Sequence, residues 1–211
     1  LDRLGVADNT LVMVSSDNGP EVTSVVNMRA SYQHDGAHPW RGMKRDQWEG
    51  GHRIPFVVRW PGSVPADSTS DQTICLCDIM ATCASLVDVQ LTNDVAEDSF
   101  DILPAMQSQQ KTKDAIRHHT LHQTNKLDLA IRKGKWKYLD HKGSGGNDYQ
   151  RESLKLYALT ETEPDAPGQL YNLETDPGET TNLYFVCPEI VEDLKKQLDT
   201  FRYSGRSAPP R

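Results

Sequence analysis

Apolar residues along this chain recur with different periods in different stretches, and the changes mark its elements. Thr10-Leu11-Val12-Met13-Val14-Ser15 is a short, nearly continuous apolar run rich in β-branched residues. That pattern predicts a strand buried on both faces of a parallel sheet. The run stops at Asp17-Asn18-Gly19-Pro20, where Asn and Gly accept positive φ and Pro cannot extend a ladder. Ile54 to Gly62 reads as a second buried strand, with Pro55 at its first residue, where a missing N–H costs least. From Thr73 to Val89 the spacing of Ile74, Leu76, Ile79, Met80, Cys83, Leu86 and Val87 predicts a helix covering one sheet face, with Asp71 as its cap. Leu1 to Asn9 reads as a helix end closed by Gly5, and Glu21 to Asp35 as a weakly periodic short helix or a loop.

Gln107 to Asp114 is polar and marks the expected boundary between a domain over 1–106 and a smaller one over 107–211. Beyond it, His118 to Thr124 alternates. Leu127 to Arg132 and Lys135 to Asp140 follow as short runs, with Lys133-Gly134 as a hairpin signal. Leu170 to Leu173 adds a further strand, and Pro188 opens an amphipathic closing helix through Ile190, Val191, Leu194, Leu198 and Phe201. Gly143 to Gly168 reads as a long, flexible surface excursion and Gly205 to Arg211 as a disordered tail. The class is therefore α/β: sheet and helices first, then a small α+β subdomain with an antiparallel sheet and a closing helix.

Candidate chemistry falls between Thr10 and Phe56. Ligands of open α/β sheets bind beyond the carboxyl ends of the strands, so Asp17 and Asn18 are placed to coordinate. Their carboxylate and amide oxygens are hard donors, suited to Ca²⁺ or Mg²⁺ rather than to a soft metal. An ordinary Asx turn is the alternative reading of the same four residues. Lys44 follows Gly42-Met43 and precedes Glu49-Gly50-Gly51. An ammonium beside a divalent cation is what a tetrahedral oxyanion, sulfate or phosphate, requires. Glu49 and Arg53 read as a structural ion pair pinning the Gly-Gly turn. Tyr32 to Arg41 lies between Asn18 and Lys44 in the chain, so His34, Asp35 and His38 become candidate sugar contacts. The alternative is a Pro/Gly surface loop with incidental polar residues.

The 211 residues carry a formal net charge of −7, which argues against a nucleic-acid binder. No stretch reaches the roughly 18 apolar residues of a membrane helix. Cys75, Cys77 and Cys83 share the predicted helix at spacings that disfavour mutual disulfides. Neither CxxC nor Cys/His zinc spacing appears. Alternate histidines of His118 to His122 share a strand face, which invites a metal, but without a nearby carboxylate or Cys partner they read as solvated or pocket-edge residues.

The order Ser16-Asp17-Asn18-Gly19, Gly42-Met43-Lys44 and Glu49-Gly50-Gly51-His52-Arg53-Ile54-Pro55-Phe56 resembles the second half of a type I sulfatase of the arylsulfatase A kind, in the alkaline phosphatase superfamily. Ala130 to Tyr138 and Leu170 to Leu183, with its Asp176-Pro177-Gly178-Glu179 turn, are similar to that family's late strand and turn. The resemblance implies that the first strands end a sulfatase-type mixed sheet flanked by helices. It implies that Asp17 and Asn18 complete a metal site for Ca²⁺ in preference to Mg²⁺ and that Lys44 binds the sulfate group. The family's nucleophile is a formylglycine made from Cys in a Cys-x-Pro/Ala-Ser/Ala-x-Arg motif, and none of Cys75, Cys77, Cys83 and Cys187 begins one. The chain is thus expected to be a C-terminal portion, inactive alone and binding Ca²⁺ weakly, because it supplies two or three of the roughly six to eight oxygens Ca²⁺ takes. The implied partner is a sulfate ester, aryl or carbohydrate, and the implied location periplasmic or secreted. Two other readings stay open: a phosphate or phosphonate ester hydrolase of the same superfamily, and a non-catalytic module binding sulfated glycans.

Overall fold

The computed structural model describes residues 1–108 and 114–211 of the chain. Residues 109–113, on which the expected 106/107 boundary abuts, lie outside the described residues. Two compact units interleave along the sequence: 1–16, 55–120 and 201–211 form one, 17–54 and 121–200 the other.

In the first unit, a 3-10 turn over Asp2–Leu4 ends at Gly5, and the chain then enters β1, Val12–Ser15. β1 pairs with β2, Phe56–Arg59, through Val12–Arg59, Met13–Val58, Val14–Val57 and Ser15–Phe56. The pairing is antiparallel, not the parallel arrangement the apolar run suggests. Its faces are only partly covered, with Val14 60% and Val57 61% exposed. A continuous apolar run signals burial without specifying strand direction, and direction is fixed by which segments meet.

The helix of this unit is shorter than its periodicity. α2 spans Asp78–Leu86, so Cys75 and Cys77 precede it and Asp71 does not cap it. Its first residue is Asp78, whose buried carboxylate accepts the N–H groups of Cys75 (2.7 Å) and Phe100 (3.0 Å) and faces the Arg117 guanidinium at 3.3 Å. Holding the Cys75 N–H fixes the turn that precedes the helix, whose entrance at Cys77 has no side-chain cap. All four cysteines are free thiols. Leu103–Met106 forms a short α3, with Ile102, Ala105 and Met106 buried. The expected disordered tail is instead docked. Ser207 donates to Asp98 Oδ1 from its N–H (2.8 Å) and hydroxyl (2.6 Å), and Arg211 donates to the carbonyls of Val95, Ala96 and Ser99.

The second unit contains α1, Val22–Tyr32, which opens with the Glu21 side chain accepting from Val22 N, and a four-stranded sheet in the order β3-β4-β5-β6. The strands are β3 (Thr120–Gln123), β4 (Leu129–Lys133), β5 (Trp136–Leu139) and β6 (Gln169–Asn172). β4 pairs antiparallel with β5, and β5 with β6. Lys133 faces Trp136, so the hairpin turns on Gly134-Lys135, one residue later than Lys133-Gly134. Gly134 takes φ 58°, the sign that two-residue hairpins demand. α5, Pro188–Ser204, buries Val191, Leu194 and Leu198, as its amphipathic spacing predicts.

The segment 143–168 is not a loose excursion. It carries the short helix α4, Glu152–Lys155, and buries Ser144, Leu154 and Ala166. Leu154 packs with Val25 and Met43, while Tyr149 lies against Trp48 at 5.5 Å between ring centroids. Its polar composition serves a hydrogen-bond network, which sequence pattern does not distinguish from solvent exposure.

Candidate active site

Asp17 and Asn18 come one residue after the end of β1 and begin the second unit. Asp17 is exposed, and no hydrogen bond or ion pair engages its carboxylate among the described residues. Asn18 is half-buried and donates from Nδ2 to Gly19 O (2.9 Å). Gly19 is then clamped: its N–H donates to Gly51 O at 2.8 Å, and a Cβ there would stand 1.9 Å from Gly50 O. Gly50 is equally confined, since its Cβ would lie 2.4 Å from Gly42 O. Side chains at either position would separate three backbone segments.

This packing brings Lys44 to the Asp17-Asn18 turn. Lys44 N donates to Pro20 O at 2.9 Å, and Lys44 Nζ lies 3.6 Å from Glu21 Oε2. Glu21 also holds Arg45 through contacts of 2.7 and 3.1 Å, and Arg45 lowers the Glu21 carboxyl below its ordinary range. The Lys44 loop is fixed from beneath by buried Asp46. The Asp46 carboxylate accepts from Met43 N (2.9 Å), Asn147 N (3.0 Å), Asn147 Nδ2 (2.9 Å) and Tyr149 Oη (2.5 Å). Asn147 Nδ2 also donates to Lys44 O at 2.9 Å.

The other candidates are placed differently. His34 and His38 are exposed in the turn after α1. Asp35 pairs with Arg29 and accepts from Ala37 N (3.0 Å), so its carboxylate shapes that turn. Glu49 and Arg53 do form an ion pair, with Nε 2.7 Å from Oε2.

That pair belongs to a larger buried array, which no spacing in the sequence announces. Glu49, 1% exposed, meets Lys137 Nζ at 2.9 Å and Arg132 Nη1 at 3.3 Å. Lys137, fully buried on β5, also reaches His52 Nε2 at 3.0 Å and Glu179 Oε1 at 3.6 Å. Glu179 Oε2 accepts from Glu49 N at 2.7 Å. The His52 ring stacks on His122 at 3.7 Å between centroids. Burial would raise the Glu49 carboxyl, yet the Lys137 ammonium and the Arg132 guanidinium hold it well below the usual carboxylate range. Burial and then Lys137 push His52 down to about 4, and burial drives His122 well below its ordinary value too. Burial, partly opposed by Lys137, raises Glu179 to about 7.

The donors present suit part of a calcium site: one unpaired carboxylate and an adjacent amide, both hard oxygen ligands. No group of three or more His, Cys, Asp or Glu placed to hold a metal occurs among the described residues. No described helix is long and apolar enough to cross a membrane.

Residues 1–89 match the sulfatase family model. The chain is 32% identical over 205 residues to an N-acetylgalactosamine-6-O-sulfatase of Bacteroides thetaiotaomicron, covering 96% of this chain and 38% of that protein. It is 30% identical over 202 residues to the N-acetylgalactosamine-6-sulfatase of Sus scrofa, covering 93% and 38%. A solved structure described under the metabolism of multiple glycosaminoglycans by B. thetaiotaomicron superposes with a TM-score of 0.78 at 31% identity, covering 96% of this chain and 41% of that one. The chain belongs to the sulfatase family. It spans about two fifths of the length of the relatives it matches.

Proposed function

We propose that this chain supplies one side of the active site of a sulfuric ester hydrolase acting on a sulfated carbohydrate. The substrate class follows from the names of the two N-acetylgalactosamine-6-sulfatases it resembles over almost its whole length. The observation that carries the reading is the backbone contact that ties the Lys44 loop to the Asp17-Asn18-Gly19-Pro20 turn, 2.9 Å from Lys44 N to Pro20 O.

In this proposal Asp17 and Asn18 hold Ca²⁺ together with oxygens from outside this chain. When bound, the cation supplies positive charge to the sulfate oxygens. The nucleophile, a formylglycine by family resemblance, comes from outside these residues. Lys44 presents its ammonium to the same oxygens, and Glu21 keeps that ammonium in place before substrate arrives. A preset charge costs no reorganisation when negative charge grows on sulfate in the transition state. Asp46 and Asn147 fix the loop so that the ammonium stays in register with the metal pair. His34 and His38 stand free to meet the sugar. Because sulfated polysaccharides are met outside the cytoplasm, we place the protein in the periplasm or outside the cell, which fractionation of the source cell tests.

The test is turnover by the intact protein that contains this chain, with N-acetylgalactosamine 6-sulfate and an aryl sulfate against the matching phosphate esters. Release of sulfate, lost on calcium chelation and restored by Ca²⁺, supports the reading. Hydrolysis of only the phosphate esters would replace it with the phosphoesterase alternative. The 211-residue chain alone is expected to bind Ca²⁺ weakly and turn over nothing. Tight stoichiometric uptake in calorimetry contradicts that.

A further inference from the structure

Glu179 touches none of the groups proposed to meet sulfate, yet its setting is costly in three independent ways. Its side chain is fully buried, although carboxylates avoid interiors unless paired. Its backbone has φ 50°, a left-handed conformation that glycine adopts freely and glutamate does not. Its Oε1 accepts no hydrogen bond, although Lys137 Nζ stands 3.6 Å away. Gly178 precedes it, so the turn had a glycine to hand and still places a carboxylate at the strained position. Such strain persists where the surroundings hold a residue for a purpose its local conformation does not serve.

The purpose can be read from Oε2. It accepts the Glu49 N–H at 2.7 Å, the first amide of the short 3-10 turn Glu49–Gly51. The same turn presents Gly51 O to Gly19 N and packs Gly50 against the Gly42 carbonyl. Arg41 Nη1 donates to Glu179 O (2.8 Å) and to Tyr171 Oη (3.2 Å), while Arg41 O accepts from Gly50 N (2.7 Å). Glu179 is therefore bonded to both segments that pack around Gly19 and Gly42.

We propose that Glu179 is a positioning residue of the active site: by accepting the Glu49 N–H it holds the Glu49–Gly51 turn against Gly19, and so fixes the Asp17-Asn18 turn relative to Lys44. The proposal rests on the sulfatase reading for its catalytic consequence but not for its structural one. Its effect falls on turnover more than on substrate affinity, because misplacing a charge stabiliser weakens the transition state first.

The experiment compares Glu179→Leu with Glu179→Gln in the intact protein. Leu removes the acceptor, whereas Gln keeps a carbonyl oxygen in its place. In Glu179→Leu, amide hydrogen exchange at Glu49, Gly19 and Gly51 accelerates at least tenfold. Its kcat on the sulfate ester falls about ten- to a hundredfold with KM within threefold. Glu179→Gln returns both to within about threefold of the wild type. Unchanged exchange at Gly19 and Gly51 in the Leu variant overturns the proposal, and so does a Gln variant as slow as Leu. If Glu179→Leu fails to fold, Gly19→Ala attacks the same contact with Glu179 intact and must reproduce the kcat loss; normal turnover there overturns the proposal. If the wild type hydrolyses no sulfate ester, the sulfatase reading fails, and the exchange comparison still decides whether Glu179 holds the turn.

Discussion

Lys137 Nζ lies 3.0 Å from His52 Nε2, and this contact assigns the imidazole its proton. An ammonium has only donors, so Nε2 accepts there and the ring carries its hydrogen on Nδ1. The 3.2 Å approach of Nε2 to Glu49 Oε1 is therefore not an ion pair. His52 stays neutral, in keeping with its depression to about 4, and Glu49 is neutralised by Lys137, Arg53 and Arg132.

This arrangement predicts an unusual dependence of stability on pH. His52 falls from 6.5 to about 4 on folding, so its contribution is present above 6.5 and lost as pH falls through about 4. Glu179 rises from 4.5 to about 7, so its contribution is full below 4.5 and lost as pH rises through about 7. Between 4.5 and 6.5 the two slopes oppose each other, each by up to about 1.4 kcal/mol per pH unit. Glu179→Gln removes one of them. Its apparent unfolding free energy then rises with pH across that window more steeply than the wild type's. Parallel curves from urea unfolding at pH 4.5 to 6.5 would refute the assignment.

Lys44→Ala in the intact enzyme lowers kcat on the sulfate ester by about two to three orders of magnitude, the scale for removing one charge that stabilises a transition state. Lys44 is half-exposed, so its thermal midpoint moves little. Steady-state kinetics beside a melting curve separates the two effects, and an unchanged rate would remove Lys44 from the site.

Asp46 is the structural counterpart. Replacing it with Ala leaves Met43 N, Asn147 and Tyr149 Oη without their acceptor. At about 1–3 kcal/mol for a buried group left unsatisfied, the summed loss is about 2–4 kcal/mol after partial relaxation. Tyr149→Phe, which removes one donor, costs about 1 kcal/mol. Equal losses in the two variants would show that Asp46 is not the hub.

Gly50→Ala forces a methyl to within 2.4 Å of the Gly42 carbonyl, a contact no backbone tolerates unmoved. Opening that contact disturbs the Lys44 loop, so the variant loses both stability and turnover. Circular dichroism melts and kinetics check it, and a wild-type melting temperature would mean that the turn relaxes at no cost.

Much of this was legible in the sequence. The strands after Thr120 and the closing helix follow from alternation and from the 3.6-residue spacing of Val191, Leu194 and Leu198. Those periods report which side of an element is buried, and burial of an apolar face depends on little else. The Asp17-Asn18-Gly19 turn and the Gly50-Gly51 pair were visible as turn chemistry, because glycine marks places where backbone needs room.

What tertiary structure alone decided is where polar groups go. The residues 143–168 and 205–211 have the composition of solvated segments, yet Asn147 and Tyr149 bind Asp46 and Ser207 binds Asp98. Asp78 looks like any helical carboxylate, yet it holds the Cys75 N–H in the turn before α2 and the Phe100 N–H 22 residues further on. Glu49, Lys137 and Glu179 are separated by 88 and 42 residues in the chain, and nothing local marks them as neighbours. Hydrophobic burial is a property of one element and leaves a period in its sequence. A buried hydrogen bond or ion pair is a property of two distant atoms, and only the folded chain states which two.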